Sequence, residues 1–290
     1  MNGKITPWSG ATIHVSSEAL IRGLSVFEGI KGYWDVPSRQ FSLLALELHF
    51  RRLQRSTRLL HLPFSMSWED FRAACISLSK LLIVEDKDLW LRTTVMAVEG
   101  NWGLDTVSDL VITGYTQEKQ RPAPTSIGVS NWQRTLDSMQ PTRIKSAANY
   151  QTARVVRMEA RRQGYSDNVM MNQWGRVAET SGCAVLMVRN GQVITPPPTE
   201  GCLESITVDL LEHICKHLQI PFIRRPIDRT ELYVADEICL AGTLAELIPV
   251  KQIESFVLPE ERPILERVAD AFWRCARREE TLSDFSLTPV

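Results

Sequence analysis

Residues 142–154 read TRIKSAANYQTAR, with a single lysine, Lys145, set between arginines in a run of small and polar residues. Two readings compete for it. Most lysines are solvated surface cations. A lysine can also be an amine placed to bond a carbonyl, most often that of an aldehyde cofactor. The stretch that follows, YQTARVVRMEARRQGY, has a helical pattern and stops at Gly164, a residue suited to a helix C-terminus. Lys145 therefore sits just before a helix, and the rest of the chain must decide its role.

Upstream of it, TQEKQRPAP at 116–124 is polar, holds two prolines and follows the strand-like DLVITGY. It predicts a linker over 118–126 between a small N-terminal α/β domain, 1–117, and a larger C-terminal α/β domain, 127–290. In the smaller part, SVFEGIKGYW, RQFSLLAL and LWLRTTVMAV read as strands. ELHFRRLQRSTRLLHL carries an apolar stripe at helical spacing with arginines around it. SWEDFRAACISLSKLLI is a second helix, opened by Ser67 as N-cap with Asp70 three residues on. In the larger part, TSIGVSNWQR, EICLAG and AELIPVKQI read as strands, and Asn190–Gly191 is a strong hairpin-turn signal. SITVDLLEHICKHLQI and PEERPILERVADAFWRCARRE read as helices. The fold class is α+β in two lobes.

Composition narrows the function classes. The 290 residues are 44% hydrophobic and 23% charged with a net charge of −1, which suits a soluble globular protein and gives no support for nucleic-acid or membrane-surface binding. No run reaches the ~18 apolar residues of a membrane helix, and MNGKITPWSGATIH lacks the apolar core of a signal peptide. The six cysteines form no C-x-x-C pair and no zinc pattern with the five histidines, so no metal is expected. Their apolar neighbours suggest buried free thiols and a cytoplasmic protein.

If Lys145 bonds an aldehyde cofactor, pyridoxal 5′-phosphate is the commonest choice. It needs the lysine, an acidic partner for its ring nitrogen, and a phosphate cradle of helix N-termini and an arginine. Glu179 follows a strand-like segment and can stand at a strand end. LESITVDLL enters a helix with Ile206 and Thr207 in its first turn, where N–H groups lack helical partners. LAGTLAEL ends a strand at Gly242 and Thr243, a second place for an anion. Arg52 lies on the arginine-rich helix. Taken singly, each of these is also an ordinary exposed residue, cap or turn.

Their order along the chain carries more. The series SVFEGIKGY, HFRRL, LWLR, KSAANY, RVAETSG, ITPP, LESITVDLL and LYVADEICLAGTLAELIPV, from about residue 14 to 252, resembles the class IV aminotransferases. These are the fold-type IV pyridoxal-phosphate enzymes, with the D-amino-acid aminotransferase-like two-domain fold. SVFEGIKGY and the Asn-Tyr after the lysine are most similar to the branched-chain group. The resemblance implies Lys145 as Schiff-base and proton-transfer residue and Glu179 as partner of the ring nitrogen. It puts Tyr150 on the phenolic oxygen and Arg52, Ile206, Thr207 and Thr243 on the phosphate. The substrate carboxylate falls to the backbone at Thr243 and Leu244. Phe27, Trp90 and Arg92 match pocket positions, Arg92 facing the distal carboxylate of glutamate. The family also implies a homodimer acting on amino acids and 2-oxo acids.

The match departs in the pocket. Arg22 stands where a tyrosine is usual, Trp90-Leu91-Arg92-Thr93 replaces an aromatic-x-Arg-Pro run, Lys31 stands for a frequent arginine, and Cys183 and Ala184 replace acidic and amide residues. Arg22 in an apolar pocket would need an anion or a hydrogen-bonding partner; otherwise it points to solvent. The expected function is transamination between a branched-chain amino acid or glutamate and a 2-oxo acid. The alternatives are a lyase of the aminodeoxychorismate type, a transaminase for an unusual or D-amino acid or amine, or a non-catalytic protein on the same scaffold.

Overall fold

The computed structural model describes residues 1–290 and separates into two compact units. The first comprises Met1–Lys119, Ile144–Ala148 and Phe285–Val290; the second comprises Gln120–Arg143 and Asn149–Asp284. One cut at 118–126 thus describes neither unit fully. The pentapeptide holding Lys145 and the last six residues count with the first unit, because both pair with its strands.

The first unit has helix α1 (Glu18–Ile21), strands β1 (Ser25–Asp35) and β2 (Gln40–Leu44), helices α2 (Leu46–Leu59) and α3 (Trp68–Leu82), and strands β3 (Lys87–Asn101) and β4 (Leu104–Glu118). Its sheet is antiparallel in the order C-terminal strand (Leu287–Pro289), β2, β1, β3, β4. Val26 and Ile30 of β1, Leu89, Leu91 and Val95 of β3, and Leu46, Phe50 and Leu53 of α2 form one buried cluster. Residues two apart on a strand share a face. One face of β1 therefore packs on this core, and the other carries Phe27, Gly29 and Lys31. Ser67 caps α3 as expected, its Oγ accepting the Asp70 N–H at 3.1 Å.

The second unit runs β5 (Thr125–Gln133), α4 (Asn149–Arg162), β6 (Asp167–Met171), β7 (Val177–Thr180), β8 (Ala184–Arg189), β9 (Gln192–Thr195), α5 (Ile206–His217), β10 (Phe222–Arg224), β11 (Glu237–Gly242), β12 (Glu246–Ile253), β13 (Phe256–Val257) and α6 (Pro263–Ala276). The strand order is β10-β9-β8-β11-β12-β5-β6-β7, and β7 pairs back to β8. The pairings of β5, β6, β7, β8, β11 and β12 therefore close into a ring. Ile127, Val169, Val185, Met187, Ile238, Leu240 and Val250 are buried in one cluster with it. The expected hairpin is present: Asn190 and Gly191 have φ of 52° and 75° and join β8 to β9. No helix is long and apolar enough to cross a membrane.

Candidate active site

In the first unit, the segment around Lys145 is stitched to β1. Phe27 N–H donates to the Lys145 carbonyl at 3.0 Å, Ala147 N–H donates to the Ser25 carbonyl at 3.0 Å, and Val26 and Ser146 form an antiparallel bridge. The Lys145 N–H donates to Ser56 Oγ of α2 at 3.3 Å. Backbone anchored on both sides fixes where the side chain leaves the chain. Lys145 Nζ lies 5.1 Å from the centre of the Phe27 ring, and the Arg92 guanidinium lies 3.7 Å from the same ring. Two cations thus share one aromatic ring, a favourable arrangement for its negative π faces.

Trp90 belongs to the same wall. It pairs with Lys31 across β1–β3 and packs on Tyr115 at 5.0 Å. A Cβ at Gly29 would stand 3.1 Å from Trp90 Nε1, so the glycine is what lets the indole lie close to β1. Lys31 is buried and 3.7 Å from Asp88.

On the opposite face of β1, Glu28 is wholly buried between the sheet and α2. Arg52 grips it with two bonds, Nε to Oε1 at 2.7 Å and Nη2 to Oε2 at 2.7 Å, and His49 Nδ1 lies 2.7 Å from Oε2. Burial alone would raise the Glu28 carboxyl; the Arg52 charge and the bonds from Arg52 and His49 outweigh it and hold the group at about 2. Burial pushes His49 below its ordinary 6.5 against the pull of Glu28, and the charges of Arg52 and Lys145 push it the same way. The Arg52 fork is therefore directed by a partner invisible in the helical stripe.

Arg22 has a definite place. At the end of α1 its Nη1 donates to Glu18 at 3.1 Å, and its guanidinium lies 4.3 Å from the Trp102 ring at the β3–β4 turn. Glu18, only 2% exposed, also accepts the Trp102 N–H at 2.7 Å. The hydrogen-bonding partner that an arginine requires there is internal.

In the second unit, Glu179 is held at both oxygens. Arg134 Nη2 lies 2.8 Å from Oε1, and the Leu203 N–H donates to Oε2 at 3.2 Å. Arg134 Nε donates in turn to the Gly201 carbonyl at 3.1 Å. Neither charge is far into solvent, at 13% exposed for Glu179 and 7% for Arg134. Beside them, burial pushes the Cys202 thiol well up, and the Glu179 charge adds to this.

Leu203 leads directly into α5. There the Ser205 side chain accepts from the Val208 N–H, and the N–H groups of Ile206 and Thr207 fall in the first turn, which has no helical acceptors for them. The turn after Glu179 adjoins the β11–β12 turn, since a Cβ at Gly242 would meet Cys183 Sγ and the Gly182 carbonyl at 3.5 Å. Thr243 and Leu244 lie in that turn. Tyr150 is half-buried in the first turn of α4, and Arg157 of the same helix donates to Ser181 Oγ at 3.0 Å. In this unit the structure gathers Glu179, the start of α5 and the 243–244 turn. In the first unit it gathers Lys145, Phe27 and Arg92, with Arg52 on the helix that supplies Ser56.

The family model described as amino-transferase class IV matches residues 25–253. A probable branched-chain-amino-acid aminotransferase of Synechocystis sp. is 35% identical over 272 residues, covering 91% of this chain and 88% of its own. The chain is a class IV aminotransferase. Among solved structures, the branched-chain aminotransferase of Thermoproteus uzoniensis with norvaline superposes on this aminotransferase with a TM-score of 0.92 at 30% identity, covering 99% of this chain and 97% of that one. The branched-chain enzyme of Thermobaculum terrenum in its pyridoxal-phosphate form gives 0.91 at 30% identity, with 99% and 96% covered. The fold is fold-type IV, as expected. These relatives are transaminases, which does not favour the lyase alternative.

Several residues that hold the candidate site residues of this aminotransferase escape sequence reading. Glu28 stands inside the quoted SVFEGIKGY, and its signal is a carboxylate in register with the apolar Val26 and Ile30. Arg134, Ser56 and Glu18 have no local signal at all.

Proposed function

We propose that this class IV aminotransferase moves an amino group between a branched-chain amino acid or glutamate and a 2-oxo acid, with pyridoxal 5′-phosphate as cofactor. The observation that carries the reading is Lys145, an amine whose backbone is pinned by Phe27 and Ser56 in a chain of this family. The donor set of each unit suits the cofactor chemically. Lys145 supplies an amine for its aldehyde, and Arg52 a guanidinium for its phosphate. Glu179 supplies an anion for its ring nitrogen, and the start of α5 supplies N–H groups for phosphate oxygens. When bound, the cofactor supplies an electron sink that lets the substrate α-carbon lose its proton.

The rest falls to the chain's own residues. With the cofactor in place, Lys145 Nζ would be the base that takes the proton from the substrate α-carbon and holds it for return. Arg134 and the Leu203 N–H keep Glu179 in place, so that a protonated ring nitrogen has a fixed counter-charge. Tyr150 holds the phenolic oxygen, and Ile206, Thr207 and Thr243 the phosphate. Thr243 and Leu244 offer backbone N–H groups to the substrate carboxylate. Phe27 and Trp90 give an aliphatic side chain apolar contact, and Arg92, over the Phe27 ring, offers its guanidinium to a distal carboxylate. Arg22, bonded to Glu18, acts as a wall residue rather than as an anion receptor.

We also read the enzyme as a cytoplasmic homodimer. Trp8, Val15, Trp102 and Leu104 of the first unit are more than two-thirds exposed, which supports an interface there. The test is an absorbance spectrum with pyridoxal phosphate for wild type and Lys145→Ala, followed by L-valine, L-glutamate and D-alanine in turn. A visible band that depends on Lys145 and is bleached by L-valine or L-glutamate supports the assignment. Bleaching by D-alanine alone would move it to D-amino acids, and a band that none of the three bleaches would sink it.

A further inference from the structure

A carboxylate on the apolar face of a core strand is costly, and replacing a buried ion pair by apolar residues is often neutral or stabilising. Glu28 nevertheless sits between Val26 and Ile30, which are 0% exposed, and is itself 0% exposed. It is met by three donors from one helix: Arg52 through Nε and Nη2, and His49 through Nδ1. With burial holding His49 toward its neutral form, that contact is an Nδ1–H donated to the carboxylate. His49, Arg52 and Ser56 follow one another at three- and four-residue steps on α2, one stripe of the helix. The last of these accepts the backbone N–H of Lys145. An arginine gripped side-on by a carboxylate has the direction of its outer edge fixed, because the guanidinium is planar and both bonds lie in that plane.

We propose that Glu28 is a positioning residue: by gripping Arg52 side-on it aims the guanidinium at the cofactor's phosphate, with His49 locking the carboxylate in place. This rests on the reading of Arg52 as a phosphate ligand. It predicts a loss confined to the phosphate, since the carboxylate itself touches neither cofactor nor substrate.

The experiment measures dissociation constants of pyridoxal 5′-phosphate and of phosphate-free pyridoxal for the cofactor-stripped full chain, as wild type, Glu28→Gln and Arg52→Gln. Glu28→Gln is expected to weaken the phosphorylated form about ten- to a hundredfold, the worth of a charge-assisted contact. Pyridoxal should change by less than about twofold. Equal weakening of both forms would assign Glu28 a purely structural role and overturn the proposal, as would an unchanged ratio. An Arg52→Gln variant that keeps the wild-type ratio would instead remove the phosphate reading of Arg52. Should Glu28→Gln fail to fold, Glu28→Asp retains the charge but shortens its reach, and a wild-type ratio in that variant overturns the proposal equally.

Discussion

Replacing Arg134 by methionine removes the charged partner of Glu179 while keeping a long apolar stem. Two bonds go: the 2.8 Å contact to Glu179 Oε1 and the 3.1 Å bond to the Gly201 carbonyl. A charge-assisted bond contributes about 1.5–3 kcal/mol and an ordinary one about 1 kcal/mol. Breaking a buried pair from one side costs about 3–5 kcal/mol. Glu179 keeps the Leu203 N–H and some solvent at 13% exposure, so the lower figure applies: about 3 kcal/mol of stability. About 2 kcal/mol of this should reappear in cofactor binding, a roughly thirtyfold rise in Kd, because Glu179, the proposed partner of the ring nitrogen, loses its anchor. Stability is read by urea denaturation followed by circular dichroism, and cofactor affinity by absorbance titration. The decisive form is a double-mutant cycle with Glu179→Gln. If Arg134 acts through Glu179, the double variant loses much less than the two singles together, by about 2 kcal/mol. Strict additivity, or an Arg134→Met variant with wild-type cofactor affinity, would refute the reasoning.

The carboxyl of Glu28 is held at about 2 against an ordinary 4.5. A lowered acid contributes stability that is fully present above its unfolded value and is lost as pH falls through the folded one. The stability advantage of wild type over Glu28→Gln should therefore hold from neutral pH to about 4.5 and shrink from there toward pH 2; denaturation across that window measures it, and an advantage growing on acidification would contradict it. Gly29→Ala forces Trp90 Nε1 away from a 3.1 Å contact, so KM for L-valine should change several-fold more than the cofactor Kd; equal change in both would place Trp90 outside the pocket. Burial raises the thiols of Cys75 and Cys215 to about 12 and that of Cys275 to about 11, and pushes those of Cys202 and Cys239 up as well, which leaves half-exposed Cys183 as the first site of alkylation. Peptide mass spectrometry after brief iodoacetamide treatment reads the order, and rapid labelling of a buried cysteine in native protein would count against the core packing described.

The elements themselves were legible wherever one face is apolar. The helices at 46–59, 68–82, 206–217 and 263–276 follow their stripes, and the Asn190–Gly191 turn follows from the backbone those two residues favour. The full reach of β3 and β4 was not. LWLRTTVMAV and DLVITGY show only the half-buried middles of two fifteen-residue strands, and their join is a turn with Trp102 at φ 51°, a conformation that a bulky side chain rarely takes. The strand Leu287–Pro289 hides behind a proline, tolerated because it lies on an edge. For the candidate site, family order nominates the lysine and the glutamate, but nothing local nominates the residues that hold them. Ser56, Glu28, Arg134 and Glu18 each make a contact 24 to 89 residues away in sequence, and local pattern carries no information on such distances.

The pentapeptide Ile144–Ala148 is encoded between two stretches of the second unit and completes the first. A fragment ending at Lys119 would lack Ile144 from its core cluster, lose the backbone bonds of Ser25 and Phe27 to Ala147 and Lys145, and carry no lysine at that place. Domain dissection by a single cut is thus bound to yield an incomplete scaffold, and any graft or chimera of the first unit must carry residues 144–148 with it. The lysine is encoded within one body and built into the other.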